Sequence, residues 1–334
     1  MTTTTVPKSS GSANFLSAAW RWIRMIPPVY LVFLVIFLAV GYLNPTYSTL
    51  PGVFSFLRRV APLAILAVGE MMVLASGGFD LSIGSIVTLV IIGSSMTLNN
   101  DPDRALTSIL IMYGIGAVIG LINGIVVSFL RVPSLIATLG MLLLVKGVAL
   151  YWCGGAPRGY FTDNWRFFGK GFIENVPVIG QFPASLLILT VVGVIAFYIF
   201  HRTNFGKQVL AIGDNVRAAQ LSGVRVHRSR ILVFLFSALC AVTAGILLGG
   251  YGGIGTNVGD GLEMQAIAAA VVGGTLLLGG KGSVPEVIFG AFTLEALFAM
   301  LNLLGLPKPY RDAVQGLIII GAVAYVSLRS RRRR

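Results

Sequence analysis

Long apolar runs separated by short polar stretches dominate the chain from residue 29 onward. About ten runs have this character, and each approaches the length that a helix needs to cross about 30 Å of hydrocarbon. Since lipid offers no hydrogen-bond partners to the backbone, the pattern predicts an all-α polytopic membrane protein with about ten transmembrane helices. The runs are Val29–Leu43, Val60–Ser76, Ser82–Leu98, Ala105–Leu130, Ser134–Trp152, Ala184–Phe200, Ile231–Gly253, Leu262–Leu278, Val284–Leu304 and Tyr310–Leu328.

The longest basic interruption between these runs is the segment 201–230, HRTNFGKQVLAIGDNVRAAQLSGVRVHRSR. Its only acid is Asp214, against Arg202, Lys207, Arg217, Arg225, Arg228 and Arg230. Short loops rich in Lys and Arg stay on the cytoplasmic side, so we expect this loop there. Alternating the spans from a cytoplasmic N-terminus then places Arg131, Lys281 and the C-terminal arginines on that side as well.

Apolar residues inside this loop recur at steps of three and four, which predicts helices: Phe205, Val209, Ile212, Val216 and Ala219. Gly213 is expected to end a first helix, Asp214 or Asn215 to cap a second, and Gly223 to close it. A short helical hairpin results. It is either an interfacial element held against lipid by its basic face or a docking surface for a cytoplasmic partner.

This scheme divides the chain into a polar cytoplasmic tail (1–28), one transmembrane permease domain (29–328) and a basic cytoplasmic tail (329–334). The domain includes the cytoplasmic loop 201–230 and an aromatic periplasmic loop, 153–183, which lies at the interface or receives an external partner. Arg58 and Arg59 conflict with the scheme because they fall on the outer side. They suggest a short interfacial helix after Pro51.

Two glycine-rich breaks, SGGFDLSIGS at 76–85 and LGGKGSV at 278–284, each separate two apolar runs on the same predicted side. They form a weak internal repeat and predict broken or re-entrant helices. Asp80 lies in the first break, where a carboxylate is costly unless it caps a helix, is paired or meets water. Asp80 or Ser82 therefore either caps the next helix or belongs to a break that lines the permeation path.

Further polar residues interrupt the apolar runs, as partners in interhelical hydrogen bonds or as parts of a polar pathway for an uncharged, hydroxyl-rich solute. Together with the break they give a set of candidate pathway residues: Asp80, Ser82, Glu70, Asn123, Thr138 and Asn302.

Composition excludes several other classes. A hydrophobic content of 56%, a charged content of 11% and a mean hydropathy of +0.87 are incompatible with a soluble chain. The net charge of +13 sits at span ends and in the tail, where orientation and anionic lipid explain it better than nucleic acid does. The GK pair near Gly279 lacks the spacing of a phosphate loop, since Thr275 and Gly282 occupy the required positions. We expect no catalytic residue, metal or cofactor in this chain.

Four blocks carry a family resemblance: GGFDLSIGS (77–85), VPSLIATLGM (132–141), TNFGKQVLAIGDNVRAAQLSGV (203–224) and EMQAIAAAVVGGTLLLGGKGSV (263–284). They resemble the membrane subunits of ribose-type bacterial ABC sugar importers, the ribose, xylose, arabinose and galactose permease family. The resemblance covers nearly the whole chain from about residue 30. One departure is that Met264 and Gln265 follow Glu263, where family members often carry an Asp.

The resemblance implies a bacterial inner-membrane permease that passes a monosaccharide or related polyol. It also implies a second permease chain, a cytoplasmic ABC ATPase that holds ATP and Mg, and a periplasmic sugar-binding protein. The ATPase-coupling residues implied are Gly206, Gly213, Asp214, Asn215, Ala218, Ala219 and Gly223. The alternatives are an ABC permease for a branched-chain amino acid, nucleoside or autoinducer, an ion-coupled secondary carrier, and a membrane enzyme, for which no catalytic constellation is present.

Overall fold

The computed structural model describes residues 27–156, 159–177 and 180–331. Nearly all of the polar tail predicted at 1–28 lies outside these residues. The last helix continues to residue 331, into the segment assigned to the basic tail, and residues 332–334 lie outside the description.

Thirteen α-helices occur in this part of the chain, and each predicted apolar run overlaps one of them. They are α1 (Pro28–Leu43), α2 (Leu50–Ala75), α3 (Ile83–Leu98), α4 (Ala105–Ser128), α5 (Ser134–Trp152), α6 (Asp163–Lys170), α7 (Ala184–Phe197), α8 (Asn204–Asp214), α9 (Val216–Leu221), α10 (Val226–Gly252), α11 (Leu262–Val272), α12 (Val284–Leu303) and α13 (Lys308–Arg331). The all-α prediction is confirmed apart from one small hairpin of strands.

Six helices among the described residues are long and apolar enough to cross a membrane: Leu50–Ala75, Pro102–Ser128, Ser134–Trp152, Ala184–Arg202, Val226–Gly252 and Val284–Leu303. Helices α1 and α3 have 16 residues each, and α11 has 11. At 1.5 Å per residue α11 is about 16 Å long, too short to cross alone. The polytopic helical architecture is therefore present, while the count of about ten crossings stays a prediction.

Helices α2 and α10 form the centre of the bundle. Every residue of α2 from Val60 to Ala75 is buried, and α10 packs against α2, α3 and α4. Glycines permit the close contacts. A Cβ on Gly69 of α2 would lie 3.2 Å from the Cα of Ser237, and one on Gly120 of α4 would lie 2.9 Å from the Cα of Leu235. This is the small-residue packing expected between helices in lipid.

The arginines that conflicted with the orientation scheme lie within α2. This helix begins at Leu50, because Thr49 Oγ1 caps it by accepting from the Gly52 amide at 3.2 Å. The predicted separate interfacial helix after Pro51 is wrong. Arg59 extends from α2 to Glu295 of α12, with Nε 3.5 Å from Oε1, and its Nη2 donates to the Tyr47 hydroxyl at 2.9 Å. The ion pair with Glu295 and the hydrogen bond to Tyr47 stabilise the Arg59 guanidinium beside the apolar helices.

The aromatic loop 153–183 holds α6 and two antiparallel strands, β1 (Phe172–Val176) and β2 (Gly180–Pro183), with Phe172 opposite Pro183. Trp165 of α6 is completely buried and stacks on Phe161 at a centroid distance of 4.1 Å. Helix α6 packs against α10. A substantial part of the loop's aromatic surface is thus packed against the bundle.

Candidate functional site: a buried polar network and a glycine junction

Five of the six candidate pathway residues meet in a single hydrogen-bonded cluster at the break between α2 and α3. The cluster, called the Asp80 network below, consists of Glu70, Asp80, Ser82, Asn123, Thr138 and Ser237. It joins α2, the break, α4, α5 and α10. Asn302 is not part of it, since it lies exposed near the end of α12.

The Asp80 carboxylate is the centre of this network. Its Oδ1 accepts from the backbone amide of Ser82 at 3.1 Å and from the Ser82 hydroxyl at 2.6 Å, and its Oδ2 accepts from the Ser237 hydroxyl at 2.9 Å. The Ser82 hydroxyl in turn accepts from Asn123 Nδ2 at 2.9 Å. Asp80 therefore orders the turn that leads into α3 and ties this turn to α4 and α10.

The backbone of the break is held by side chains of the flanking helices. Glu70 Oε1 accepts from the Asp80 amide at 3.2 Å, and Thr138 Oγ1 accepts from the Leu81 amide at 3.1 Å. Ser134 Oγ accepts from the Phe79 amide at 3.0 Å. Irregular backbone inside a membrane bundle needs such partners, because each unsatisfied buried amide costs free energy. The glycines let the chain leave the helical conformation at the break, and these side chains supply the hydrogen-bond partners that its backbone amides need.

All six residues of the Asp80 network are at most 1% exposed, so the cluster is sealed from solvent in this conformation. Glu70 Oε2 finds no hydrogen-bond partner within the described part of the chain. Sequence reasoning missed Ser237 and Ser134. A single serine in an apolar helix gives no periodic signal. That Ser237 and Ser134 contact the break becomes visible only once the structure shows which sides of α10 and α5 face it.

The basic loop folds into the predicted helical hairpin, made of α8 and α9. Asn215 caps α9, with its Oδ1 accepting from the Ala218 amide at 3.0 Å, so this cap is confirmed. Gly223 has a φ of +82° and closes α9, as predicted, while the Val224 amide donates to the Ala219 carbonyl at 3.0 Å. The prediction that Gly213 ends α8 is wrong, because α8 continues through Asp214.

Gly213 instead lies where three segments touch through their backbones. A Cβ there would overlap the Ala75 carbonyl at the end of α2 and the Gly280 amide, which donates to that carbonyl at 3.0 Å. A Cβ on Gly279 would lie 2.8 Å from the Cα of Gly213 and 3.0 Å from the Cα of Gly77. We call Gly77, Gly213, Gly279 and Gly280 the glycine junction. It brings both breaks of the weak repeat against the hairpin.

The implied coupling residues separate into inward and outward groups. Gly206 and Ala219 are buried, and Gly213 is half-buried at the junction. The exposed members are Asp214, Asn215, Ala218 and Gly223. Next to them, Leu221, the last residue of α9, is 77% exposed, although its side chain is apolar. The buried residues thus hold the hairpin against the bundle, while the exposed residues form a surface that a partner could contact.

Comparison with known proteins decides the family. A model described as "Branched-chain amino acid transport system / permease component" matches residues 52–323, most of the chain. The chain belongs to this permease family. Together with its six helices of membrane-spanning length and composition, this makes it a multi-pass membrane permease.

Curated relatives align with the permease along almost its entire length. It is 34% identical over 332 residues to the ribose import permease protein RbsC of Escherichia coli strain K12, which covers 97% of this chain and 98% of the relative. It is 35% identical over 295 residues to the autoinducer 2 import system permease protein LsrC of Enterobacter sp. strain 638, covering 88% and 84%. RbsC of Haemophilus influenzae is 32% identical over 300 residues, covering 88% and 90%. No solved structure matches the chain.

Proposed function

We propose that the permease is the membrane subunit of a bacterial ABC importer that carries a monosaccharide or related polyol from the periplasm into the cytoplasm. The observation that carries this proposal is the alignment with a ribose import permease across 97% of one chain and 98% of the other. A match of that extent includes the breaks, the hairpin and the spans together, rather than one shared motif.

Two ion pairs near the spans favour a neutral solute. Arg59 pairs with Glu295, and Lys146 Nζ lies 2.7 Å from Asp260 Oδ1. Since these ions neutralise each other in pairs, they give little support to a zwitterion such as a branched-chain amino acid. Autoinducer 2 is the second candidate solute, because a permease named for its import is as similar as the ribose permease.

For the mechanism, we place the coupling surface on the exposed side of the α8–α9 hairpin, facing the cytoplasm. Leu221 would enter an apolar site on a separate ATPase, which holds ATP and Mg, and the exposed Lys207 and Arg217 would lie over acidic groups. Movement of the hairpin would pass through the glycine junction to both breaks. Nucleotide and a loaded periplasmic binding protein would then bias inward- and outward-facing states by binding them unequally.

The Asp80 network is proposed as a part of the pathway that opens only during transport. Its burial requires the break to move away from α4 and α5 before solute could reach it. A Thr138→Cys variant should therefore react with a small thiol reagent during ATP-driven turnover and remain protected at rest. Protection throughout turnover would make the network a brace only. The native cysteines, Cys153 and Cys240, are buried and provide a low background.

The decisive experiment reconstitutes the permease in proteoliposomes with its ATPase and binding protein, and measures uptake of labelled ribose, autoinducer 2 and leucine. Uptake that requires ATP, the ATPase and the binding protein, and that prefers one of these solutes, supports the proposal. Uptake by the permease alone along an ion gradient would instead identify a secondary carrier. A preference for a branched-chain amino acid would exclude the sugar assignment.

A further inference from the structure

A cavity of about 710 Å³ lies between the hairpin, the first break and the starts of α5 and α10. Its walls include Ser128, Arg131, Ser134, Gln220, His227 and Arg230. None of its lining residues, all of which the structure describes, is an aspartate or glutamate. The volume lies in the range of small-ligand pockets, so this space can hold more than a few waters.

Two helices begin at this cavity, and both beginnings lack the usual stabilisation. The N-cap residues, Pro133 of α5 and Arg225 of α10, accept no hydrogen bond with their side chains, and neither first turn carries an acid. The N-terminus of a helix carries partial positive charge and free amides. The Ile136 amide of α5 and the Val226 amide of α10 donate to the Pro133 and Val224 carbonyls, and the remaining amides of these first turns are left to donate into the same space.

Two arginines make this electrostatic situation worse instead of relieving it. Arg131 precedes α5, and Arg230 lies near the start of α10. No ion pair or hydrogen bond from either arginine side chain to another described residue is present. Membrane orientation explains arginines on one side of a bilayer. It does not explain why they converge on a cavity that already receives two positive helix ends.

A separate observation also indicates a missing acceptor. Ser128, at the end of α4, is only 2% exposed and lines the cavity, and its hydroxyl has no partner among the described residues. Buried hydroxyls are nearly always hydrogen-bonded. His227 is fixed at the edge of the same cavity by stacking on Phe129, with ring centroids 4.9 Å apart.

We propose that this cavity binds an anionic phosphate group, which the Arg131 and Arg230 guanidinium groups and the amides of the α5 and α10 first turns would hold. Guanidinium groups and helix N-termini are the protein groups that suit phosphate oxygens. The source is either a soluble phosphate or the headgroup of an anionic phospholipid. The inference concerns the cavity beside the hairpin, and it does not depend on which solute the permease carries.

The test uses the full-length permease. Binding of labelled inorganic phosphate is measured by equilibrium dialysis in detergent, and retention of phosphatidylglycerol is measured by native mass spectrometry after extraction from mixed phosphatidylcholine and phosphatidylglycerol nanodiscs. Arg230→Gln should weaken binding about tenfold or more, because it removes a charge-assisted contact. Arg230→Lys should retain part of it. Arg217→Gln is the matched control, since it removes the same charge from an exposed position in the hairpin and should change binding less than about twofold.

Saturable phosphate binding that follows this pattern identifies a soluble ligand. Phosphatidylglycerol retention with the same pattern, in the absence of phosphate binding, identifies a lipid headgroup. The proposal is overturned if neither probe binds, or if Arg217→Gln weakens binding as much as Arg230→Gln. If neither probe binds but Arg230→Gln prevents assembly with the ATPase, the cavity receives a protein group instead of a phosphate. Should Arg230→Gln fail to fold, Arg131→Gln provides the same comparison.

Discussion

Replacing Gly213 with alanine tests whether the glycine junction transmits movement from the hairpin. The added methyl group would overlap the Ala75 carbonyl and the Gly280 amide, which are hydrogen-bonded to each other. Both obstacles are backbone groups, so no side chain can rotate away to make room. The hairpin must move away from the end of α2, or the contact between Gly280 and Ala75 must break.

The cost follows from these contacts. Overpacking against fixed atoms typically costs about 1–3 kcal/mol. Loss of the hydrogen bond between Gly280 and Ala75 would add about 1–3 kcal/mol, because it leaves buried backbone groups unsatisfied. Alanine returns at most about 1 kcal/mol through its higher helix propensity. The expected destabilisation is on the order of 1–5 kcal/mol, enough to lower the Tm by several degrees.

The assay combines thermal unfolding of the purified permease with ATP-driven uptake in proteoliposomes that contain the ATPase and binding protein. Gly213→Ala should lower the Tm and reduce the solute carried per ATP hydrolysed, while the ATPase still co-purifies with the permease. Gly140→Ala is the control, because a Cβ at that position of α5 meets no atom within 4 Å. If Gly213→Ala transports at the wild-type rate and has the same Tm as Gly140→Ala, the junction neither stabilises the permease nor transmits movement from the hairpin.

Three further experiments test other contacts. Ser237→Ala removes the donor to Asp80 Oδ2 and should destabilise the permease by about 1–3 kcal/mol in thermal or denaturant unfolding. Leu221→Asp should weaken co-purification with the ATPase at least severalfold without changing the Tm, since the side chain is 77% exposed. A double-mutant cycle of Arg59→Gln and Glu295→Gln should give a coupling of about 1 kcal/mol or less, because the pair is partly exposed and 3.5 Å apart.

Each of these substitutions has an informative comparison. Thr190→Ala removes an exposed hydroxyl that bonds only within its own helix, so a loss of stability equal to that of Ser237→Ala would argue against a special role for Asp80. Ser222→Asp places the same new charge beside Leu221, and an equal loss of ATPase binding would point to charge instead of apolar contact. A coupling of several kcal/mol between Arg59 and Glu295 would show that this pair is far less screened than its exposure indicates.

The positions of the helices could be predicted well because membrane helices follow hydrophobic run length. Their ends could not. Helix α2 begins ten residues before the predicted Val60, since capping by Thr49 and a proline at its start outweigh the polar residues Arg58 and Arg59. Helix α11 ends at Val272 because Gly274, with a φ of +83°, turns the chain there, although apolar residues continue to Leu278.

The candidate site was predictable in its members and less so in its arrangement. A polar residue inside an apolar run is visible in a sequence, which identified Glu70, Asp80 and Thr138. Which helix faces which is not visible, so Ser237 was missed and Asn302 was grouped with residues that it does not touch. The two glycine breaks were recognised as related, but their meeting at Gly213 depends on tertiary contacts between segments far apart in the chain.

Contact through bare main chain at the glycine junction has a consequence for how this permease can diversify. Because no side chain separates the three segments, substitutions at neighbouring positions can alter the surrounding surfaces without filling this contact. Gly213 itself has no such freedom, since any side chain larger than hydrogen would push the hairpin away from the two breaks. If the junction is the drive linkage proposed above, a lineage could vary its cargo at other positions but would have to keep this glycine.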